Sequence, residues 1–268
     1  MRDLSDRAVL ITGGTAGIGL ATGLAFAQRG ADVTLTCRWG SADPDELVAA
    51  FEAAGARRPH VLEANVTDAD DLEAVLAHVA ERHDHVDTFV SNVGFAQLVR
   101  GLDDYNLRGL QQSIEYSAWP LASHLLAIRA RFGRLPRYAV ALSSCGIDQY
   151  YSNYDFAGAA KAVLETLVRY LAHRVFDEEC RINAVRARFV DTVSLTATVG
   201  PEFTDFVDRF GGPGFVQTPE EVAGVVLALC SGWLDGMRGQ VLTVDHGTAF
   251  HDNLMRLHAT RSVPLETP

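Results

Sequence analysis

The chain has 268 residues, 48% of them apolar and 21% charged, and a formal charge of -11. This size suits one domain with a full core, and the acidic balance argues against a nucleic-acid partner. No stretch approaches the ~20 apolar residues of a membrane span, the segment Met1 to Arg7 lacks the basic and apolar regions of a signal peptide, and the cysteines at 37, 145, 180 and 230 have no metal-ligand spacing. The expectation is a cytoplasmic protein with no membrane partner and no metal site.

Short apolar runs alternate with longer helical patterns from end to end. Strands are predicted at Ala8 to Thr12, Asp32 to Cys37, His60 to Glu63, Thr88 to Ser91, Tyr138 to Leu142, Arg181 to Val185 and Gln240 to Val244. Helices are predicted at Gly17 to Arg29, Asp45 to Gly55, Ala69 to Arg82 and Asn106 to Arg131. Two more are predicted, one carrying Lys161 and ending near Phe176, the other from Pro219 to Cys230. Buried strands alternating with helices imply an α/β fold, a single Rossmann-type, doubly wound parallel sheet with helices on both faces. No boundary divides residues 1–268. The part from Arg186 to Thr218 is less regular, and the tail 255–268 is weakly patterned and ends in Pro-Leu-Glu-Thr-Pro.

Thr12-Gly13-Gly14-Thr15-Ala16-Gly17-Ile18-Gly19 follows the first strand and opens the first helix. Glycines there permit a tight turn and close approach of backbone to a pyrophosphate, which the helix N-terminus meets with unpaired N–H groups. An acidic residue ending the second strand would bind the ribose hydroxyls of NAD. This chain has Thr36-Cys37-Arg38, and Arg38 suits the 2'-phosphate of NADPH. Asn65 and Val66 are placed to bracket an adenine. Asn92 in Ser91-Asn92-Val93-Gly94 fits a role in fixing backbone, and Gly94 allows close approach of the cofactor.

Of the 23 lysines and arginines only Lys161 is a lysine. Where arginine serves every other cationic position, a retained ammonium points to a need for a compact point charge. Tyr154 stands seven residues earlier, on nearly the same helical face. Hydride transfer leaves charge on the acceptor, which a tyrosine hydroxyl can protonate or hydrogen-bond as it forms. A nearby ammonium favours the phenolate, so Lys161 is expected to supply that field and to hold the nicotinamide ribose. Ser144, with Ser143 beside it, can orient the substrate oxygen or simply make the turn. Tyr150 and Tyr151 are candidates to line the substrate pocket.

Gly13 to Gly19, Asn92 to Gly94 and the Ser144/Tyr154/Lys161 set together resemble the short-chain dehydrogenase/reductase family, over about Asp6 to Gly247. Most members place the tyrosine four residues before the lysine, where this chain has Ala157. The seven-residue spacing instead resembles the enoyl-acyl-carrier-protein reductase branch, in particular its NADPH-dependent type III form. Ser143-Ser144-x-Gly146, Tyr150, Asn153-Tyr154, Lys161-Ala162, Leu164-Glu165 and Arg169-Tyr170-Leu171-Ala172 carry that likeness. The resemblance implies reduction of the double bond of an acyl thioester, an acyl carrier protein as possible partner, and a homodimer or homotetramer.

The chain departs from the family pattern in three places. Glu115 stands where an asparagine usually supports the lysine through water. Arg186, Arg188 and Phe189 replace small residues after the sixth strand, where they narrow the pocket or meet an anionic substrate group. Val190 and Thr192 remain placed for the cofactor. Asp245-His246-Gly247 replaces a common Asp-Gly-Gly, with His246 read as a tolerated replacement. Together these departures suggest a specialised substrate rather than the housekeeping fatty acyl series, and the arginine-rich composition fits a polyketide or modified fatty acyl pathway. Residues 194–215 are expected to form a substrate lid, with Phe203 and Phe206 on an apolar helical face and a hinge at Gly211-Gly212-Pro213-Gly214. A carbonyl reductase or alcohol dehydrogenase on the same scaffold is the main alternative, and a non-catalytic dinucleotide-binding protein a weaker one.

Overall fold

The computed structural model describes residues 3–38, 43–211 and 214–260. Strand β1 (Ala8–Thr12) sends Ala8 and Leu10 to one face of a sheet and Val9 and Ile11 to the other, and both sets are buried. The same alternation recurs in β2 (Asp32–Cys37), β4 (Thr88–Ser91), β5 (Tyr138–Ser144) and β6 (Arg181–Ala187). Shorter strands β3 (His60–Glu63) and β9 (Val241–Val244) close the edges. All pair in parallel in the order β3-β2-β1-β4-β5-β6-β9. The order reverses between β1 and β4, so a crevice opens at the C-terminal ends of these two strands, where open α/β sheets bind ligands.

Apolar strands need cover on both faces. Helices α1 (Gly17–Ala27), α2 (Pro44–Ala53) and α9 (Pro219–Leu229) cover one face, with Phe26, Phe51, Val222 and Val226 in its core. Helices α3 (Ala69–Ala80), α4 (Leu107–Ser117), α5 (Trp119–Phe132) and α6 (Asp155–Arg174) cover the other. Leu72, Leu121, Ile128, Leu164 and Val168 fill that core. Local chemistry sets the starts. Asp43 caps α2, Asp68 caps α3, and Thr218 with Glu221 forms a capping box on α9, ahead of Pro219.

The helix expected over 106–131 is two helices. The break falls at Ala118, and Pro120, which lacks an N–H, occupies the first turn of α5. The less regular stretch contains β7 (Phe189–Val190), α7 (Val193–Val199), α8 (Phe203–Phe210) and β8 (Val216–Gln217), with β7 and β8 paired in parallel. Residues of the weakly patterned tail form α10 (Asn253–Thr260). The hinge positions Gly212 and Pro213 and the tail end 261–268 lie outside the described residues. Among the described residues no helix is long and apolar enough to cross a membrane, and no cluster of side chains has the make-up of a metal site.

Candidate active site

The turn after β1 is held from below. The Asn92 side-chain amide donates to the carbonyls of Thr12 (3.1 Å) and Gly13 (2.8 Å), and its backbone N–H donates to the Thr12 hydroxyl (3.2 Å). Two glycines in the turn cannot be replaced without displacement. Gly13 has φ +64°, and a Cβ on Gly19 would fall 2.2 Å from the Gly13 carbonyl oxygen. The result is a bare backbone cradle opening onto the N-terminus of α1. Thr12 and Gly19 build the cradle from beneath, while Gly13, Thr15, Gly17 and Ile18 face a cavity of about 550 Å³, well within the size range of ligand sites.

That cavity continues past Asn92 and Gly94 to Ser143, Ser144, Tyr154 and Lys161. Tyr151, Arg188, Phe189, Val190 and Thr192 also line it. The expected lid contributes Ser194, Leu195, Thr198 and Val199 from α7. Asn153, at φ +63°, ties that helix to the tyrosine loop by donating to the Thr198 carbonyl (3.1 Å).

Tyr154 precedes the first residue of α6, and its ring packs where a Cβ on Gly146 would sit, 2.6 Å from the nearest ring carbon. Burial raises the pKa of the phenol, and hydrogen bonding from Ser144 opposes the rise. The expected lowering by Lys161 is therefore corrected. The phenol is held protonated, because loss of solvent outweighs the polar contacts that act on it. Lys161 is buried, donates to the Leu142 carbonyl (2.7 Å) and lies beneath Gly94. Burial pushes its pKa down to about 8, with the Glu165 carboxylate opposing.

Glu165 is itself buried and well partnered. It accepts two hydrogen bonds from Arg186 (2.8 and 2.6 Å) and one from the Ser143 hydroxyl (2.7 Å). Arg186 also pairs with Asp148. The expectation that Arg186 lines the substrate pocket is thus corrected. It is still part of β6 and shares the face of Ile182 and Ala184 that packs on α6, so it meets Glu165.

Four further expectations are corrected. Glu115 is exposed, because Ser113 and Ser117, one turn apart, occupy the buried side of α4, and position 115 falls on the opposite side. Tyr150 is 87% exposed, and the next residue, Tyr151, takes the inward place. Phe203 packs its ring on Phe189 (4.9 Å between centroids), which itself takes the cavity-lining place, and Phe206 packs on Phe210 (4.8 Å). Neither reaches the cavity.

Arg38, Asn65 and Val66 lie at the C-terminal ends of β2 and β3, beyond the cavity. The Asn65 side-chain carbonyl accepts from the Thr67 N–H and hydroxyl (3.3 and 3.1 Å), a local turn that occupies the group expected to meet adenine. Arg38 donates to the Tyr116 hydroxyl at 2.6 Å. Tyr116 escaped the sequence reading. So did Ser117, which bridges the N–H and carbonyl of Phe95 at the cavity wall (2.9 and 2.8 Å). Their signal was the register of α4, once its end at Ser117 is known.

Residues 13–249 match the family described as Enoyl-(Acyl carrier protein) reductase. The chain belongs to the short-chain dehydrogenase/reductase family. It is 30% identical to the 1-cyclohexenylcarbonyl-CoA reductase of Streptomyces collinus, over 89% of this chain and 85% of that one. It is 29% identical to the enoyl-acyl-carrier-protein reductase (NADH) FabI of Aquifex aeolicus, over 91% and 92%. It is 30% identical to the 3-oxoacyl-acyl-carrier-protein reductase FabG of Thermotoga maritima, over 91% and 98%. Its fold matches a short-chain dehydrogenase from Burkholderia cenocepacia solved with NADP, at TM-score 0.80 and 24% identity over 92% of this chain and 100% of that one. The chain is therefore an oxidoreductase of the NAD(P)-binding kind. Near-equal identity to enoyl and 3-oxoacyl reductases leaves the branch to the chemistry of the site.

Proposed function

We propose that this protein is an NADPH-dependent reductase that transfers hydride to the double bond of an enoyl thioester. The observation that carries this reading is the placement of Tyr154. It is the tyrosine beside Ser144 in the cavity, seven residues before Lys161, whereas Ala157, four residues before Lys161, lines the same cavity with no group able to give a proton.

The cradle of Gly13, Thr15, Gly17, Ile18 and Gly19 fits a dinucleotide pyrophosphate, because its backbone is exposed where any Cβ would intrude. Arg38 would meet the 2'-phosphate, Asn65 and Val66 would flank the adenosine, and Gly94, Val190, Thr192 and Lys161 would border the nicotinamide end. A bound reduced nicotinamide supplies the hydride. Tyr154 donates its O–H to the thioester oxygen as negative charge gathers there, and its raised pKa keeps that proton available at neutral pH. Ser144 holds the phenol in line. Lys161 fixes ribose hydroxyls and adds positive charge nearby.

The alternative, reduction of a ketone or 3-ketoacyl thioester, is supported by the Ser144–Tyr154 pair, which suits polarisation of a carbonyl, and by the FabG-type relatives. The substrate we favour is carrier-bound and belongs to a specialised fatty acyl or polyketide series. The reading includes a homodimer or homotetramer in the cytoplasm, with α7 as the lid. Tyr154→Phe tests the assignment. Turnover is expected to fall about a hundredfold or more, with NADPH affinity unchanged. Full turnover by this variant would remove Tyr154 from the mechanism.

A further inference from the structure

Pairing of β7 with β8 brings Arg188 beside Gln217, whose side-chain carbonyl accepts from the Arg188 backbone N–H (3.4 Å). The Arg188 guanidinium lies between two aromatic rings, 5.1 Å from the Phe189 centroid and 5.4 Å from the Phe215 centroid. Its Nε and Nη1 are buried and have no hydrogen-bond partner among the described residues. The buried Tyr151 hydroxyl lies beside the guanidinium and its oxygen faces those donors, while the Gln217 Nε2 is unpartnered among the described residues. The Tyr151 ring packs on Phe189 at 4.8 Å between centroids, and both Tyr151 and Arg188 line the cavity.

Nearby carboxylates are already engaged. Asp245 accepts from the N–H groups of Gly247 and Ala249 (3.0 and 2.8 Å), while Asp148 and Glu165 hold Arg186. Arg188 and Tyr151 thus meet at the cavity with no carboxylate free to answer the guanidinium among the described residues. Two buried guanidinium nitrogens with no counter-charge are costly even between aromatic rings, so the site suits an anion that arrives with a ligand. The flat fork matches a carboxylate, and Tyr151 adds a third donor.

We propose that the substrate carries a carboxylate in addition to its reacting group, and that Arg188 and Tyr151 seat it in the cavity. This rests on the reading of the cavity as the substrate site and names the class of substrate it takes. The anion is assigned to the substrate rather than the dinucleotide because Tyr151 packs beside Tyr154, at 5.6 Å between ring centroids.

Hexanoate and hexanamide serve as matched probes, titrated by calorimetry into the NADP+-loaded protein. Hexanoate is expected to bind about tenfold or more tightly than hexanamide. That preference should disappear in Arg188→Gln, weaken in Tyr151→Phe and survive in Tyr154→Phe. Arg188→Lys, which retains a charge, should keep part of it. Equal binding of the two probes by the wild type would overturn the proposal, whatever the variants do. So would a preference that survives Arg188→Gln, or one lost only in Tyr154→Phe, which would place the carboxylate at the reacting centre. The affinity for NADP+ is measured in the same titrations. Its loss in Arg188→Gln alone would assign the arginine to the cofactor and overturn the proposal, whereas its absence in the wild type would defeat the dinucleotide reading itself.

Discussion

Burial acts in opposite senses on the two central titrating groups, raising the Tyr154 phenol and lowering Lys161 to about 8. The sign of each sets a pH window. Lys161 has a folded value below its free value of 10.5, so the folded state binds fewer protons than the unfolded state between about pH 8 and 10.5. Stability attributable to this residue is lowest below about pH 8 and recovers as pH rises through that window. Chemical denaturation of wild type and Lys161→Met should therefore show the wild type gaining stability relative to the variant from pH 8 to pH 10. A constant difference would mean that Lys161 is not desolvated as described. Activity moves the other way, since the ammonium is lost above about pH 8. Arg38 makes its own test possible through Tyr116. Arg38→Ala should weaken NADPH binding much more than NADH binding, and Tyr116→Phe, which removes the hydroxyl that positions Arg38, should do the same to a lesser degree. Equal losses for both nucleotides in calorimetry would remove Arg38 as the phosphate reader.

Strand β6 and helix α6 are joined beneath the site by the Glu165–Arg186 pair, closed by Ser143 at the end of β5. Breaking a buried pair by removing one member leaves the other charge uncompensated. Arg186→Met should accordingly cost about 3–5 kcal/mol in urea unfolding. A loss below about 1 kcal/mol would show that Glu165 finds other partners, Arg169 being the nearest at 3.7 Å. The turn from β1 into α1 allows a sharper contrast. Gly19→Ala must displace the Gly13 carbonyl and the Asn92 amide, so both thermal stability and dinucleotide binding should drop. Gly94→Ala meets only ordinary contact, 3.6 Å from the Lys161 Nζ. It should melt as the wild type does while binding the nucleotide less tightly. An unaffected affinity would show that the cofactor does not pass close to Gly94.

Strand and helix alternation made the sheet legible from sequence, because apolar runs in a two-sided core have few other ways to be buried. The glycine turn and the Tyr154–Lys161 spacing were legible for a similar reason, since each is a local pattern with one structural outcome. Residues whose role depends on the register of a distant element were not. Glu115 was misplaced because the face of α4 is set by where that helix ends. Arg186 and Arg188 look alike in sequence, yet one pairs with a carboxylate on α6 and the other lies between the rings of Phe189 and Phe215. Phe203 and Phe206 have the spacing of a lid, but Phe189 stands between Phe203 and the cavity, and Phe206 packs on Phe210. The whole arrangement is most directly tested by stopped-flow absorbance at the nicotinamide band with matched enoyl and 3-keto thioesters, recording product mass. The account predicts NADPH consumption with the enoyl thioester and a product heavier by two hydrogens. Consumption with the 3-keto thioester alone would contradict it and make the protein a carbonyl reductase.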